Sequence, residues 1–212
     1  MSLTFYHHLF RPAAQADAVT LLLLHGTGGT ENDLVPLAQK IAPGAALLAP
    51  RGDVSERGQL RFFRRHAEGV FDLEDVVRRT HALADFVGAA AKRYGFSPRR
   101  LFALGFSNGA NVTATLMQLR AEVLGGGVLL RAMVVLSQTA APDTLRDHRA
   151  LLLAGAHDPI VPSDHPEKLA ALLRAGGAAV EVKTSEATHN LAPADLEAAQ
   201  DFFHRMTDNA SV

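Results

Sequence analysis

Gly105-Phe106-Ser107-Asn108-Gly109 has the spacing GxSxG, preceded by the apolar run Leu101-Phe102-Ala103-Leu104 and followed by Val112, Leu116 and Leu119 at helical spacing. A serine between strand and helix, with glycines two residues to either side, occupies a strained turn that exposes its hydroxyl. The helix that starts there aims its positive dipole end and free amides at developing negative charge. A serine hydroxyl becomes a nucleophile only when a base takes its proton and an acid orients that base. On a turn of this kind the partners follow in the order serine, acid, histidine. Asp158, in Gly155-Ala156-His157-Asp158-Pro159-Ile160-Val161, and the late His189 satisfy that order. His157 adjoins Asp158 but precedes it, which is the wrong order, while Asp143, Asp147 and Asp164 stay open as alternative acids.

A second constellation is His25-Gly26-Thr27-Gly28-Gly29-Thr30. Glycines there let backbone approach a ligand closely, and an amide of such a loop can pair with the amide after the nucleophile to bind an oxyanion. The backbone N–H groups of Thr27 and Asn108 are the expected pair, with His25 holding the loop. A phosphate loop would need Gly-Lys-Ser/Thr, and a dinucleotide loop GxGxxG; neither is present.

These residues must be positioned by strands and helices, and the chain alternates between the two. Apolar runs at Thr20–Leu24, Ala45–Ala49, Leu101–Phe106, Ala132–Leu136, Ala150–Ala154 and Ala179–Lys183, with a weaker one near Leu3–Leu9, predict a largely parallel sheet covered on both faces. Ser107, Asp158 and His189 then all fall beyond the carboxyl ends of strands, where open sheets of this class place their sites. Thr30 is expected to cap a helix that stops before Pro43-Gly44, and Asp72 a long one ended by Tyr94-Gly95. Asp164 with Glu167 reads as a capping box, closed by Gly176-Gly177, and a last helix runs from Pro193 to Met206. The loop from Arg51 to Val70 is the candidate for substrate selection, with Phe62 and Phe63 as apolar wall and Arg64 or Arg65 as an anion contact. Asp53, Glu56 and Glu68 lie among its arginines, so a solvated or salt-bridged loop is the competing reading.

With 212 residues, 48% of them hydrophobic, the chain predicts one domain over residues 1–212. A formal net charge of -1 lacks the positive field that nucleic-acid binding draws on. The absence of Cys excludes disulfides, thiolate metal sites and cysteine nucleophiles. There is no HExxH pair and no ligand-like histidine spacing, so neither metal nor organic cofactor is expected. Met1–His8 has no basic or long apolar region, and Val19–Leu24 is too short to span a bilayer, which predicts a soluble cytoplasmic protein without membrane insertion.

Through His25–Gly29, Gly105–Gly109, Gly155–Val161 and His189, the chain resembles the phospholipase/carboxylesterase family of α/β hydrolases, which includes the acyl-protein thioesterases. Pro50-Arg51-Gly52, Arg61–Arg65 and Glu68–Asp72 resemble the bacterial quinone- or copper-inducible hydrolases of that family most specifically. No insertion is long enough for a separate cap domain, Ser137–Arg149 being only a modest loop, and the resemblance implies an α/β-hydrolase fold. It also implies a cofactor-free hydrolase of carboxylic esters or thioesters, monomeric or homodimeric, with a triad at Ser107, Asp158 and His189. Asn108 and Ala110 stand where the thioesterases commonly have Gln and Gly, and Thr188 precedes His189 where Gly is frequent. The expected substrate is a small or short-chain ester. The alternatives are an acyl-protein thioesterase or lysophospholipase, and a non-catalytic small-molecule-binding protein on the same fold.

Overall fold

The structure is a computed structural model that describes residues 6–15 and 18–208. In chain order the elements begin β1 (His8–Arg11), β2 (Thr20–Leu24), α1 (Val35–Ile41) and β3 (Ala46–Pro50). Two small hairpins follow, β4 (Val54–Glu56) with β5 (Gln59–Arg61), and β6 (Arg65–Ala67) with β7 (Val70–Phe71). Then come α2 (Leu73–Tyr94), β8 (Leu101–Phe106), α3 (Asn108–Leu119), β9 (Gly126–Leu130), β10 (Arg149–Gly155), α4 (His165–Ala175), β11 (Ala179–Ser185) and α5 (Pro193–Asp208).

Seven strands form one sheet in the order β1-β3-β2-β8-β9-β10-β11, parallel throughout except for β1 against β3. Period-two alternation divides the strand side chains between two cores. Leu22, Leu24, Ala103, Leu129 and Leu152 pack with Phe86 of α2, Leu116 of α3 and Leu169 of α4. Leu21, Leu23, Leu104, Leu130 and Leu153 pack on the opposite face with Ile41 of α1 and Phe203 of α5. Because both faces are covered, the inner strands read as unbroken apolar runs. Truncating one such leucine, Leu23 for example, to alanine should cost about 2–5 kcal/mol.

The run Ala132–Leu136 is not a strand. The pairing strand is β9, whose glycines conceal it from strand propensity. A Cβ on Gly126 would stand 1.8 Å from the Arg149 carbonyl oxygen and one on Gly127 2.3 Å from that of Ala103, so only glycine fits between β8 and β10. After Leu130, Arg131 adopts φ 60 and turns the chain off the sheet, so Ala132, Met133, Val135 and Leu136 are buried in irregular backbone. The expected strand near Leu3–Leu9 begins only at His8, with residues 3–5 outside the described residues.

Asp72 caps α2 as expected, its side chain accepting from the Asp75 amide at 3.0 Å, and Gly95 ends the helix at φ 77. Thr30 does not cap α1. Its hydroxyl donates to Asp33 at 2.8 Å within a turn, and the helix starts later, at Val35 with Pro36 in the first turn, where a missing N–H costs nothing. The Asp164 side chain caps no helix amide, its carboxylate lying 2.5 Å from Lys168 instead.

Candidate active site

Ser107 stands between β8 and α3 with φ 52 and ψ -114, a conformation that costs a non-glycine residue about 1–3 kcal/mol. It is held there by its amide, which donates to the Leu130 carbonyl at 2.8 Å, and by its carbonyl, which accepts from the Asn111 amide at 2.9 Å. The flanking glycines are sterically required. A Cβ on Gly105 would meet the Gly109 carbonyl oxygen at 2.5 Å, and one on Gly109 the Leu24 carbonyl oxygen at 1.8 Å.

Asp158 lies in the turn beyond β10 with its side chain 2% exposed. Its Oδ1 accepts from the amides of Ile160 at 2.8 Å and Val161 at 3.1 Å, and its Oδ2 lies 2.8 Å from His189 Nδ1. Burial works against the carboxylate, but the Ile160 amide, the His189 ring and the Val161 amide outweigh it and hold the Asp158 pKa below the usual carboxylate range. With Nδ1 engaged, Nε2 is the ring nitrogen left to handle a proton. The ring leans on Phe106 with centroids 5.3 Å apart.

Ser107 and His189 open on one cleft of about 200 Å³, which Thr27, Asn108, Arg61 and Arg65 also line. No hydrogen bond joins Ser107 Oγ to His189 among the described residues. Such bonds often tighten only when substrate is bound. The Thr27 and Asn108 amides donate to no backbone acceptor among the described residues, whereas the adjacent Gly28 amide is taken by Leu60 at 2.9 Å. His25 holds this loop. Its Nδ1 donates to the Gly26 carbonyl at 2.7 Å and its Nε2 accepts from the Gly52 amide at 2.9 Å. Those two bonds fix the tautomer, and burial lowers the His25 pKa against the opposing Gly26 bond.

The competing acids and base go elsewhere: His157 is exposed beside Glu186, Asp143 pairs with Arg146, Asp164 with Lys168, and Asp147 is exposed. The substrate-selection loop needs correction. Phe62 and Phe63 are 1% and 0% exposed and belong to the core, not to the cleft. Arg64 turns outward to Asp72 and Asp75, at 3.6 and 3.4 Å. Arg65 does reach the cleft, bonded to Glu56 at 3.0 Å and to Glu68. Two buried cleft arginines escaped sequence reasoning. Arg61 donates to Thr27 Oγ1 at 2.8 Å, and Arg131 binds Asp195 at 2.6 Å. For Arg131 a signal existed, a lone charge interrupting the apolar stretch Gly127–Leu136; for Arg61 there was none.

Residues 65–207 match the profile of the Phospholipase/Carboxylesterase family. The chain belongs to this family. Among its relatives, "Putative hydrolase MhqD" of Bacillus subtilis (strain 168) is 41% identical over 183 residues, which are 86% of this chain and 91% of that protein. The crystal structure of the Bacillus cereus carboxylesterase superposes with a TM-score of 0.91 at 39% identity, covering 95% of this chain and 94% of that one. A structure of YahD with malic acid superposes at 0.88 with 29% identity, over 95% and 99% of the two chains. As a phospholipase/carboxylesterase family member the chain has the α/β-hydrolase fold, and no separate cap is formed among the described residues. Family membership makes it a hydrolase of the esterase class. No described helix is long and apolar enough to cross a membrane, and no described group of three or more His, Cys, Asp or Glu side chains could hold a metal ion.

Proposed function

We propose that this family member is a serine carboxylesterase of small or short-chain esters that works through an acyl-enzyme on Ser107. One observation carries the reading: a serine on a strained strand-to-helix turn shares a cleft with a histidine whose far nitrogen is held by a buried, ionised aspartate. In the proposed first step Ser107 Oγ attacks the ester carbonyl carbon while its proton passes to His189 Nε2, and Asp158 steadies the imidazolium. The Thr27 and Asn108 amides receive the oxyanion, a donor of this kind contributing about 3 kcal/mol to the transition state. Collapse breaks the bond to the leaving alcohol, which takes the proton from His189. Water, deprotonated by the same ring, then cleaves the acyl-serine and restores the hydroxyl.

The small cleft and the absence of a cap among the described residues favour a short acyl group. Malic acid, the compound in the YahD structure, is of the same modest size. Thioesters fit the same chemistry as second substrates. The test is hydrolysis of p-nitrophenyl esters from acetate to palmitate by wild type and Ser107→Ala. Turnover highest on acetate and butyrate and abolished in the variant is expected. Undiminished turnover by Ser107→Ala sinks the proposal, and a preference for palmitate sinks its substrate class.

A further inference from the structure

His189 sits in an irregular connection between β11 and α5, and something other than secondary structure must hold it. We propose that Arg131, locked by Asp195, is the positioning residue of the His189 loop, an inference that rests on His189 acting as the general base. The two side chains are 0% and 2% exposed. A guanidinium so far from water must satisfy its donors internally, and where those bonds end is informative. Nε donates to the Thr188 carbonyl at 3.0 Å and Nη2 to the Asn190 carbonyl at 2.8 Å, so one rigid planar group grips the backbone immediately before and after His189. Nη1 donates to the Leu153 carbonyl at 3.0 Å, in the strand that leads to Asp158, and to Asp195 Oδ1 at 3.3 Å. Nη2 also meets Asp195 Oδ2 at 2.6 Å.

The backbone of Arg131 joins the remaining part of the site. Its amide donates to the Leu153 carbonyl at 2.9 Å, and the preceding Leu130 carbonyl accepts from the Ser107 amide at 2.8 Å. Asp195 accepts from Ser185 Oγ at 3.0 Å and the Ala192 amide at 2.8 Å, tying down both ends of the loop. The side chain therefore ties the base to the strand of the acid, and the adjoining backbone ties the same residue to the serine. Only arginine can do so, because its fork presents five donors in a fixed plane, whereas lysine offers a single ammonium. A buried ion pair is an inefficient source of stability compared with apolar packing. Its distinctive contribution here is geometric, and a displacement of about 1 Å at a reacting group can cost about 100-fold in rate.

The test is Arg131→Lys, which keeps the charge for Asp195 but cannot hold both carbonyls beside His189, assayed on p-nitrophenyl acetate with folding checked by circular dichroism. The expected result is a folded protein whose kcat falls at least about tenfold while KM stays within about twofold, as for an interaction felt only in the transition state. A smaller fall in kcat, or a loss carried by KM, overturns the proposal. Should Arg131→Lys fail to fold, Asp195→Asn, which retains an acceptor for the Ala192 amide, is judged by the same criteria. Ser107→Ala assayed alongside separates the failures. If it is inactive while Arg131→Lys keeps its kcat, the clamp alone is wrong; if it is active, the catalytic reading falls and the clamp with it.

Discussion

The amide of Phe62 donates to Oδ1 of Asn108 at 2.8 Å, a bond between residues 46 positions apart. With Oδ1 taken, Nδ2 is buried without a partner among the described residues. Neighbours of Phe62 reach the other half of the proposed oxyanion site, since Leu60 accepts from the Gly28 amide at 2.9 Å and Arg61 donates to Thr27 Oγ1 at 2.8 Å. The segment Leu60–Phe62 thus braces both amide donors from behind, a different task from contacting substrate.

Asn108→Ala should expose that bracing. Losing an acceptor for the Phe62 amide costs about 1–3 kcal/mol, but removing the unpaired Nδ2 returns a similar amount, so stability should change by less than about 1 kcal/mol. The freed residue 108 amide should lower kcat/KM by about tenfold. Urea denaturation and ester kinetics on the same preparation decide the matter. Unchanged kcat/KM beside a large loss of stability would make Asn108 a packing residue only.

Asp158→Asn is predicted to lower kcat by about 10⁴-fold with little change in KM, the cost of a mis-set tautomer in serine hydrolases. The amides of Ile160 and Val161 would keep the carbonyl oxygen on their side, turning the new NH₂ towards His189 Nδ1 and forcing the ring proton onto Nε2. Steady-state kinetics and fluorophosphonate labelling of Ser107 provide the check. A variant within tenfold of wild type would remove Asp158 from the catalytic role.

Stability should decline as the pH falls below about 6.5. Burial lowers the pKa values of His25 and His165, so the folded chain takes up their protons less readily than the unfolded chain does. Stability is therefore complete above the unfolded value and is lost as acid protonates the unfolded state first. Glu31, held down to about 2 chiefly by its hydrogen bond from Arg51, acts in the same direction but lower, its contribution being lost only as the pH falls from about 5 towards 2. His25→Gln can still donate to Gly26 and accept from Gly52, and it should flatten melting temperature against pH. An unaltered slope would show that His25 does not carry the dependence.

Of the proposed site, Ser107 and the Thr27 loop are legible in the amino-acid sequence because each belongs to a local pattern, and Asp158 and His189 because they follow Ser107 in a set order. GxSxG between strand and helix is a contiguous steric solution, and the order serine, acid, histidine follows from strands delivering their loops to one edge. The sheet is legible for a related reason, since strands covered on both faces must be apolar at every position. The exception is β9, where closeness of neighbouring backbones demands glycine at Gly126 and Gly127 and outweighs strand propensity.

The loop from Arg51 to Val70 illustrates what residue types leave open. Adjacent aromatics and arginines look alike as candidates for a substrate wall, yet Phe62 and Phe63 enter the core, Arg64 turns from the cleft to Asp72 and Asp75, and Arg65 reaches the cleft. Two short hairpins with a bulge decide those directions, and so slight a register is not encoded in residue type. The Arg131–Asp195 pair, 64 positions apart, and the Phe62–Asn108 bond are equally out of reach of local patterns. The amino-acid sequence by itself determined the alternation of the sheet strands other than β9 with helices and pointed to the proposed reactive groups, because these depend on neighbours along the chain. Tertiary structure alone decided which buried polar groups hold those residues in place, because a buried donor takes whichever acceptor the packed fold brings within about 3 Å.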